Sequence, residues 1–311
     1  MNATLKKSFY GKTILVTGGT GSIGSEIVRQ LIPYKPKQIR VYSRDESKHY
    51  FFEQELKRLH LNKSIRYLIG DIRDKERLDR AMCGAHIVFH AAALKHVPYC
   101  EYNPFEAVKT NVHGTQNIID CALKNNAQKV IAISTDKAVY PNCVMGITKL
   151  LMERMIISSC NYLGDSKTKF SVVRFGNVLN SRGSVIPTWI DQIKNGGPVT
   201  VTNKDMTRFF MSIPDAVDLV FLATKIMMGQ EIFVLKMSER NIYDLAKETI
   251  QLYGGGKKIF IKIIGARHRE KIHEKLFTDE EKELMIEKKH LNIILPDSII
   301  RLKRLHAYSE T

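Results

Sequence analysis

Residues 17–24 read Thr17-Gly18-Gly19-Thr20-Gly21-Ser22-Ile23-Gly24, between a β-branched run at 13–17 and an amphipathic segment at 22–31. Strand, glycine turn and helix in that order make a seat for a pyrophosphate. Glycines at 18, 21 and 24 let the backbone turn tightly, approach phosphates and pack the helix on the strand. The start of the helix turns unpaired N–H groups toward the anion. A glycine triplet alone carries little weight. Its place between strand and helix makes dinucleotide binding the expectation, with Gly18, Thr20, Gly21, Ser22, Ile23 and Gly24 in contact.

Outward from this loop the chain keeps one rhythm. Runs apolar on both faces at 38–43, 65–70, 86–91, 129–134 and 170–175 alternate with amphipathic stretches at 46–61, 75–82, 104–124 and 144–163. That pattern predicts a parallel sheet covered on both sides, and right-handed crossovers make it a doubly wound, Rossmann-like α/β fold. After residue 175 the punctuation changes, with Gly183, Pro187, Gly196-Gly197-Pro198, Pro214 and Gly254-Gly255-Gly256 breaking shorter elements. We expect a dinucleotide-binding domain at 1–175 and a smaller substrate-binding lobe at 176–311. The two interleave, because 231–236 reads as one more buried strand of the sheet. The last thirty residues are highly charged and suggest no element.

Composition narrows the class. The chain has 311 residues, 44% hydrophobic and 26% charged, which fits a globular protein and not a disordered one. No apolar run reaches the ~18 residues of a membrane span, and the N-terminus shows no apolar signal core. Five scattered cysteines, odd in number and without CxxC spacing, read as reduced cytoplasmic thiols and not as disulfides or metal ligands. The net charge of +16 is dispersed and is not interleaved with aromatics, so neither nucleic acid nor membrane is an expected partner. Positive potential does favour a small anionic substrate.

The G-x-x-G-x-x-G spacing resembles the short-chain dehydrogenase/reductase superfamily. That resemblance implies adenine recognition by Asp71 and Ile72, a cofactor-backing turn at Ala91, Ala92 and Ala93, and a cofactor-site role for Asn111. The choice of cofactor has a physical argument of its own. NAD sites usually carry an acid at the end of the second strand, for the ribose hydroxyls. Here Ser43 and Arg44 stand there, followed by Asp45. A hydroxyl and a guanidinium suit a 2′-phosphate, so NADP is favoured, while Asp45 keeps NAD open.

Ser134 to Lys149 reads STDKAVYPNCVMGITK. A Tyr-x-x-x-Lys dehydrogenase pair is expected there, with tyrosine as acid/base and lysine lowering its pKa. Met145 stands in the tyrosine's place and carries no proton; Lys149 is kept. Together with TGGTGSIGSE (17–26), HAAALKHVPYCEYNP (90–104), TNVHGTQN (110–117), RFGNVLNSRGSVIP (174–187) and TRFFMS (207–212), the stretch resembles the UDP-N-acetylglucosamine 4,6-dehydratases over nearly the full chain. Members with methionine at this position include retaining enzymes, and those with tyrosine invert C5.

The resemblance implies C4 oxidation, loss of water across C5 and C6, and reduction at C6. In it Thr135 bonds the C4 oxygen, Asp136 protonates the departing 6-hydroxyl, and Lys137 is the C5 base if burial or a nearby cation depresses its pKa. Lys149 binds the nicotinamide ribose. Either Asp136 or an inward-pointing Tyr140 takes the C4 hydroxyl proton. Implied contacts to the UDP-sugar are Lys95, His96, Asn177, Ser181, Arg182, Val185, Thr200, Arg208, Arg267 and Glu270, and a homo-oligomer is implied as well. Tyr140, Cys143 and His268-Arg269 depart from the family pattern. A C5-inverting dehydratase, a UDP-sugar 4-epimerase and a non-catalytic NADP-binding sensor are the competing readings.

Overall fold

The structure, a computed structural model, describes residues 3–61, 63–181, 183–267 and 269–309. Six strands come first: β1 (Thr13–Thr17), β2 (Gln38–Ser43), β3 (Ile65–Ile69), β4 (Ile87–His90), β5 (Lys129–Thr135) and β6 (Lys169–Phe175). Then follow β7 (Asn177–Val178), β8 (Val199–Val201), β9 (Thr207–Met211), β10 (Ile232–Leu235), β11 (Ser238–Asn241), β12 (Ile261–Ile263), β13 (Met285–Glu287) and β14 (Leu291–Ile294).

Nine strands form one sheet in the order β13-β14-β10-β6-β5-β4-β1-β2-β3. β1 to β6 and β10 run parallel, and β14 lies antiparallel between β10 and β13. This is the doubly wound α/β fold. Its strand order reverses beside β1, and in such sheets ligands bind at the carboxyl ends of the strands flanking the reversal.

The period-2 geometry of a strand explains the layers. In β1, Ile14 and Val16 face one apolar layer while Leu15 faces the other. The first layer packs Ile27, Val28 and Leu31 of the helix Ser22–Leu31 with Val217, Val220 and Phe221 of the helix Ile213–Ile226. The second packs Leu78 and Met82, Ile118 and Ala122, and Met152 and Ile156 from three further helices. With both faces covered, β1 and β4 are buried at every residue.

A smaller cluster lies beyond the sheet, where Trp189 and Ile193 of the helix Val185–Lys194 meet Val199, Val201, Ile242 and Leu245. β10 pairs with β6 in the main sheet, so the chain returns there after building this lobe.

Two buried carboxylate clusters fix the C-terminal part. Arg174 of β6 is 1% exposed and spends all five N–H bonds: two on Glu153, two on Glu281 and one on the Leu276 carbonyl. Full satisfaction of this kind offsets the cost of burying the charges. Glu231, fully buried, accepts from Ser171, Tyr308, Arg304 and the Met228 and Gly229 amides.

Two expectations change here. The run 104–124 is not one helix but Pro104–Ala107, a π turn Val108–His113 and Gly114–Lys124. The charged tail does hold structure, in β13, β14 and the helix Ser298–Ser309. Its charges lie largely outward, while Leu291, Ile293, Ile294 and Tyr308 are buried. Among the described residues, no helix is long and apolar enough to cross a membrane, and the five cysteines are free.

Candidate active site

The carboxyl ends of β1, β2, β4, β5 and β6 open into a cleft of about 790 Å³ whose opposite wall comes from the residues after β6. Gly18 has φ +63° and sits directly on the turn after β4. A Cβ there would lie 2.8 Å from the Ala91 carbonyl carbon and the Ala92 Cα, so neither side has room for a larger group. A Cβ on Gly24 would come within 2.3 Å of the Gly18 carbonyl oxygen. Gly21 gives the helix Ser22–Leu31 no capping side chain. Close backbone approach and an uncapped helix start together fit a pyrophosphate.

At the end of β2 the Thr20 and Ser43 hydroxyls meet at 2.8 Å. The Arg44 side chain, 58% exposed, leans over Asp71 with Nη1 3.7 Å from Oδ2. Asp71 is held more closely by Arg73, at 2.7 Å. Asp45 caps the next helix: Oδ1 accepts from the Lys48 amide at 3.0 Å, and Oδ2 lies 2.6 Å from Lys48 Nζ. Those two bonds hold its carboxyl below the usual aspartate range. The acid that would read ribose hydroxyls is thus occupied, and the guanidinium beside it, though paired with Asp71, is more than half exposed. Gly18 to Gly24 apart from Gly19, with Ser43, Arg44, Asp71, Ile72 and Ala91 to Ala93, all line the cleft and fit a dinucleotide.

Thr135 ends β5 and caps the single 3₁₀ turn Asp136–Ala138 that carries Asp136 and Lys137. Asp136 is fully buried; its Oδ1 accepts from Thr135 Oγ1 at 2.8 Å and from Lys137 Nζ at 3.0 Å, and Oδ2 accepts nothing from the described residues. Lys137 also donates to Asn177 Oδ1 at 3.2 Å and lies 3.8 Å from Glu274 Oε1. Burial works to lower the Lys137 pKa, but Asp136 and Glu274 outweigh it and raise the value above an ordinary lysine's. The condition of a depressed pKa is therefore not met in the protein alone. Lys137 rests as an ammonium.

Lys149, one helix away, behaves oppositely. Burial brings its pKa down to about 8, with Glu153 opposing, and Nζ donates to the Ile133 carbonyl at 2.5 Å. Met145 is 3% exposed and packs with Cys100, Ala107 and Cys143 while touching the cleft.

Lys95, His96, Asn177, Ser181, Val185, Arg208, Arg267 and Glu270 also line the cleft. The His96 ring packs on Gly183, where a Cβ would meet it at 2.7 Å. Arg208 is largely spent on backbone, donating to the carbonyls of Thr207, Ile272 and Lys271 at 2.7–2.8 Å. Its first role is to hold that loop.

Several expectations need correction. Asn111 does not line the cleft; its buried amide clamps both backbone groups of Leu94 and reaches Thr148. Thr200 lies in β8 with its hydroxyl and amide bonded to Gln192. Tyr140 does not point inward: at φ +44° its hydroxyl donates to Asp279 Oδ2 and accepts from the Asp279 amide. Arg182 and His268 lie outside the described residues. The residue the sequence reading missed is Glu274, 6% exposed and in the cleft wall. Its charged surroundings in the sequence gave no hint of burial.

The model of a family described as "Polysaccharide biosynthesis protein" matches residues 14–296. A Methanocaldococcus jannaschii protein described as an uncharacterized membrane protein is 55% identical, over 93% of this chain and 87% of that one. A Rickettsia canadensis UDP-glucose 4-epimerase is 45% identical, over 88% and 80%. A Campylobacter jejuni UDP-N-acetylglucosamine 4,6-dehydratase (inverting) is 42% identical, over 93% and 84%. The X-ray structure of Pen from Bacillus thuringiensis superposes with a TM-score of 0.89 at 43% identity, covering 92% of this chain and 90% of that one.

Proposed function

The chain belongs to the polysaccharide biosynthesis protein family, and we propose that within it this protein is an NAD(P)-dependent hydro-lyase. Its substrate is UDP-N-acetylglucosamine, its product a UDP-4-keto-6-deoxy-N-acetylhexosamine with C5 configuration retained. The observation that carries this reading is the 3.0 Å hydrogen bond from Lys137 to Asp136 in the cleft at the end of β5. The glycine loop, Ser43, Arg44, Asp71 and Lys149 would hold the dinucleotide, and NADP suits the exposed Arg44 better than NAD.

Bound NAD(P) would supply the hydride acceptor for C4 and the hydride donor for C6. The chain's own residues handle protons. At rest the pair is ammonium and carboxylate. Moving one proton along the bond from Lys137 to Asp136 gives an amine and a carboxylic acid, the base and acid that elimination requires. Lys137 then takes the C5 proton, whose acidity the 4-keto group raises, and Asp136 gives its proton to the departing 6-hydroxyl. The pair ends as ammonium and carboxylate again. Lys137 returns a proton to C5 on the face from which it took one, and solvent, which received the C4 hydroxyl proton when C4 was oxidised, restores the ammonium. Met145 has no proton to deliver to the other face, so retention follows.

A second reading, 4-epimerisation, is favoured by the relatives named UDP-glucose 4-epimerase. It needs proton transfer at C4 and leaves a C5/C6 acid–base pair without work. Incubation of the pure protein with UDP-N-acetylglucosamine and mass spectrometry separates the two: loss of one water supports dehydration, and an unchanged mass with a new C4 epimer supports the alternative.

A further inference from the structure

Two carboxylates, not one, flank Lys137. Glu274 is buried in the cleft wall with Oε1 3.8 Å from Lys137 Nζ. Its Oε2 lies 3.4 Å from Lys271 Nζ and accepts no hydrogen bond among the described residues. Lys271 itself is tied to the Val139 carbonyl at 2.7 Å, in the loop that follows Lys137. Among the described residues the cation Arg208 also acts on Lys137, and it is committed to backbone carbonyls. The backbone near Glu274 is pinned, since the Leu276 carbonyl takes a bond from the fully used Arg174.

We infer that Glu274 is a positioning residue that holds the shared proton of the Asp136–Lys137 pair on Lys137, with Lys271 tempering its charge. The inference deepens the dehydratase reading and rests on it for its consequence, though not for its test. The physical reason is Coulombic. When the proton moves to Asp136, the charge of Asp136 and that of Lys137 vanish together, and Glu274 is left facing a neutral amine. That state loses an attraction the resting state enjoys, so Glu274 favours the ammonium. Glu274 thus sets how readily Lys137 becomes a base.

The test reads Lys137 directly. Competitive acetylation of lysines in the cofactor-loaded protein, followed peptide by peptide by mass spectrometry across pH, gives the midpoint at which Lys137 becomes nucleophilic. Glu274→Gln removes the charge at nearly constant shape and should move that midpoint to lower pH by about one unit. Lys271→Gln removes the tempering cation and should move it to higher pH. Lys149, on another helix, should stay unmoved in both. A Lys137 midpoint unchanged in both variants, with melting temperature and cofactor affinity preserved, overturns the inference. Should Glu274→Gln fail to fold, the Lys271→Gln shift decides by its sign. The readout needs no turnover: midpoints that move as stated in a protein that leaves UDP-N-acetylglucosamine untouched would uphold Glu274 and sink the dehydratase reading.

Discussion

Lys137 Nζ donates to Asp136 Oδ1 over 3.0 Å, and Met145, buried to 3% exposure, offers the same cleft no proton at all. In the proposed function the proton work falls on the pair and the shape of the wall on Met145. Asp136→Asn, nearly isosteric but unable to become an acid, should lower dehydration by ~10²-fold or more, and Lys137→Ala should abolish C5 exchange. Met145→Leu conserves volume and should keep substantial activity. Rates measured on variants with unchanged melting temperature check this. An active Asp136→Asn beside a dead Met145→Leu would place the acid elsewhere.

Arg44 stands more than half exposed at the end of β2, against Asp71, while Asp45 is spent on its helix cap. Arg44→Ala should weaken NADP by about 1.5–3 kcal/mol, roughly 10- to 150-fold, and NAD far less. Fluorescence titration with both reduced cofactors measures the ratio. Equal weakening would mean that Arg44 serves Asp71 or the adenine instead.

His90, 2% exposed, bridges the hydroxyls of Thr17 and Thr115. Burial, helped by Lys149, lowers its pKa to about 3. A histidine whose folded pKa lies below its unfolded one near 6.5 stabilises the protein fully above 6.5 and progressively less as pH falls toward 3. Its contribution should drop by about 2 kcal/mol between pH 7 and pH 5. Urea unfolding of wild type and His90→Gln at the two values tests it: the variant should lack that part of the acid slope, and parallel slopes would remove His90 as the cause.

Arg174→Met should cost about 3–5 kcal/mol in the same assay, because it leaves Glu153 and Glu281 buried without their cation. A loss under about 1 kcal/mol would mean that the two carboxylates are protonated or hydrated in the folded protein.

What the sequence made legible was local. The glycine turn at 18–24 declares itself because few other residues fit so close to Ala91. The strands of the parallel sheet declare themselves because both faces are apolar. The misses depend on the third dimension. Nothing in HREKIHEKL says that Glu274 is buried, since its burial comes from the loop that Arg208 and Arg174 tie down. The outward turn of Tyr140 follows from a left-handed backbone that a bulky residue adopts rarely and that its bonds to Asp279 support. Asn111 fell at a position that suggested the cofactor, yet its amide is consumed by Leu94.

In the proposed function one lysine takes a proton from C5 and gives one back while water leaves C6. NMR of the product formed from UDP-N-acetylglucosamine in deuterated water tests it most directly. The expected product is a 4-keto-6-deoxy sugar with the starting C5 configuration and deuterium at C5, because the Lys137 ammonium mixes the proton it takes with two exchanged from solvent. A product that keeps its 6-hydroxyl and differs at C4, or a dehydrated one inverted at C5, would contradict it.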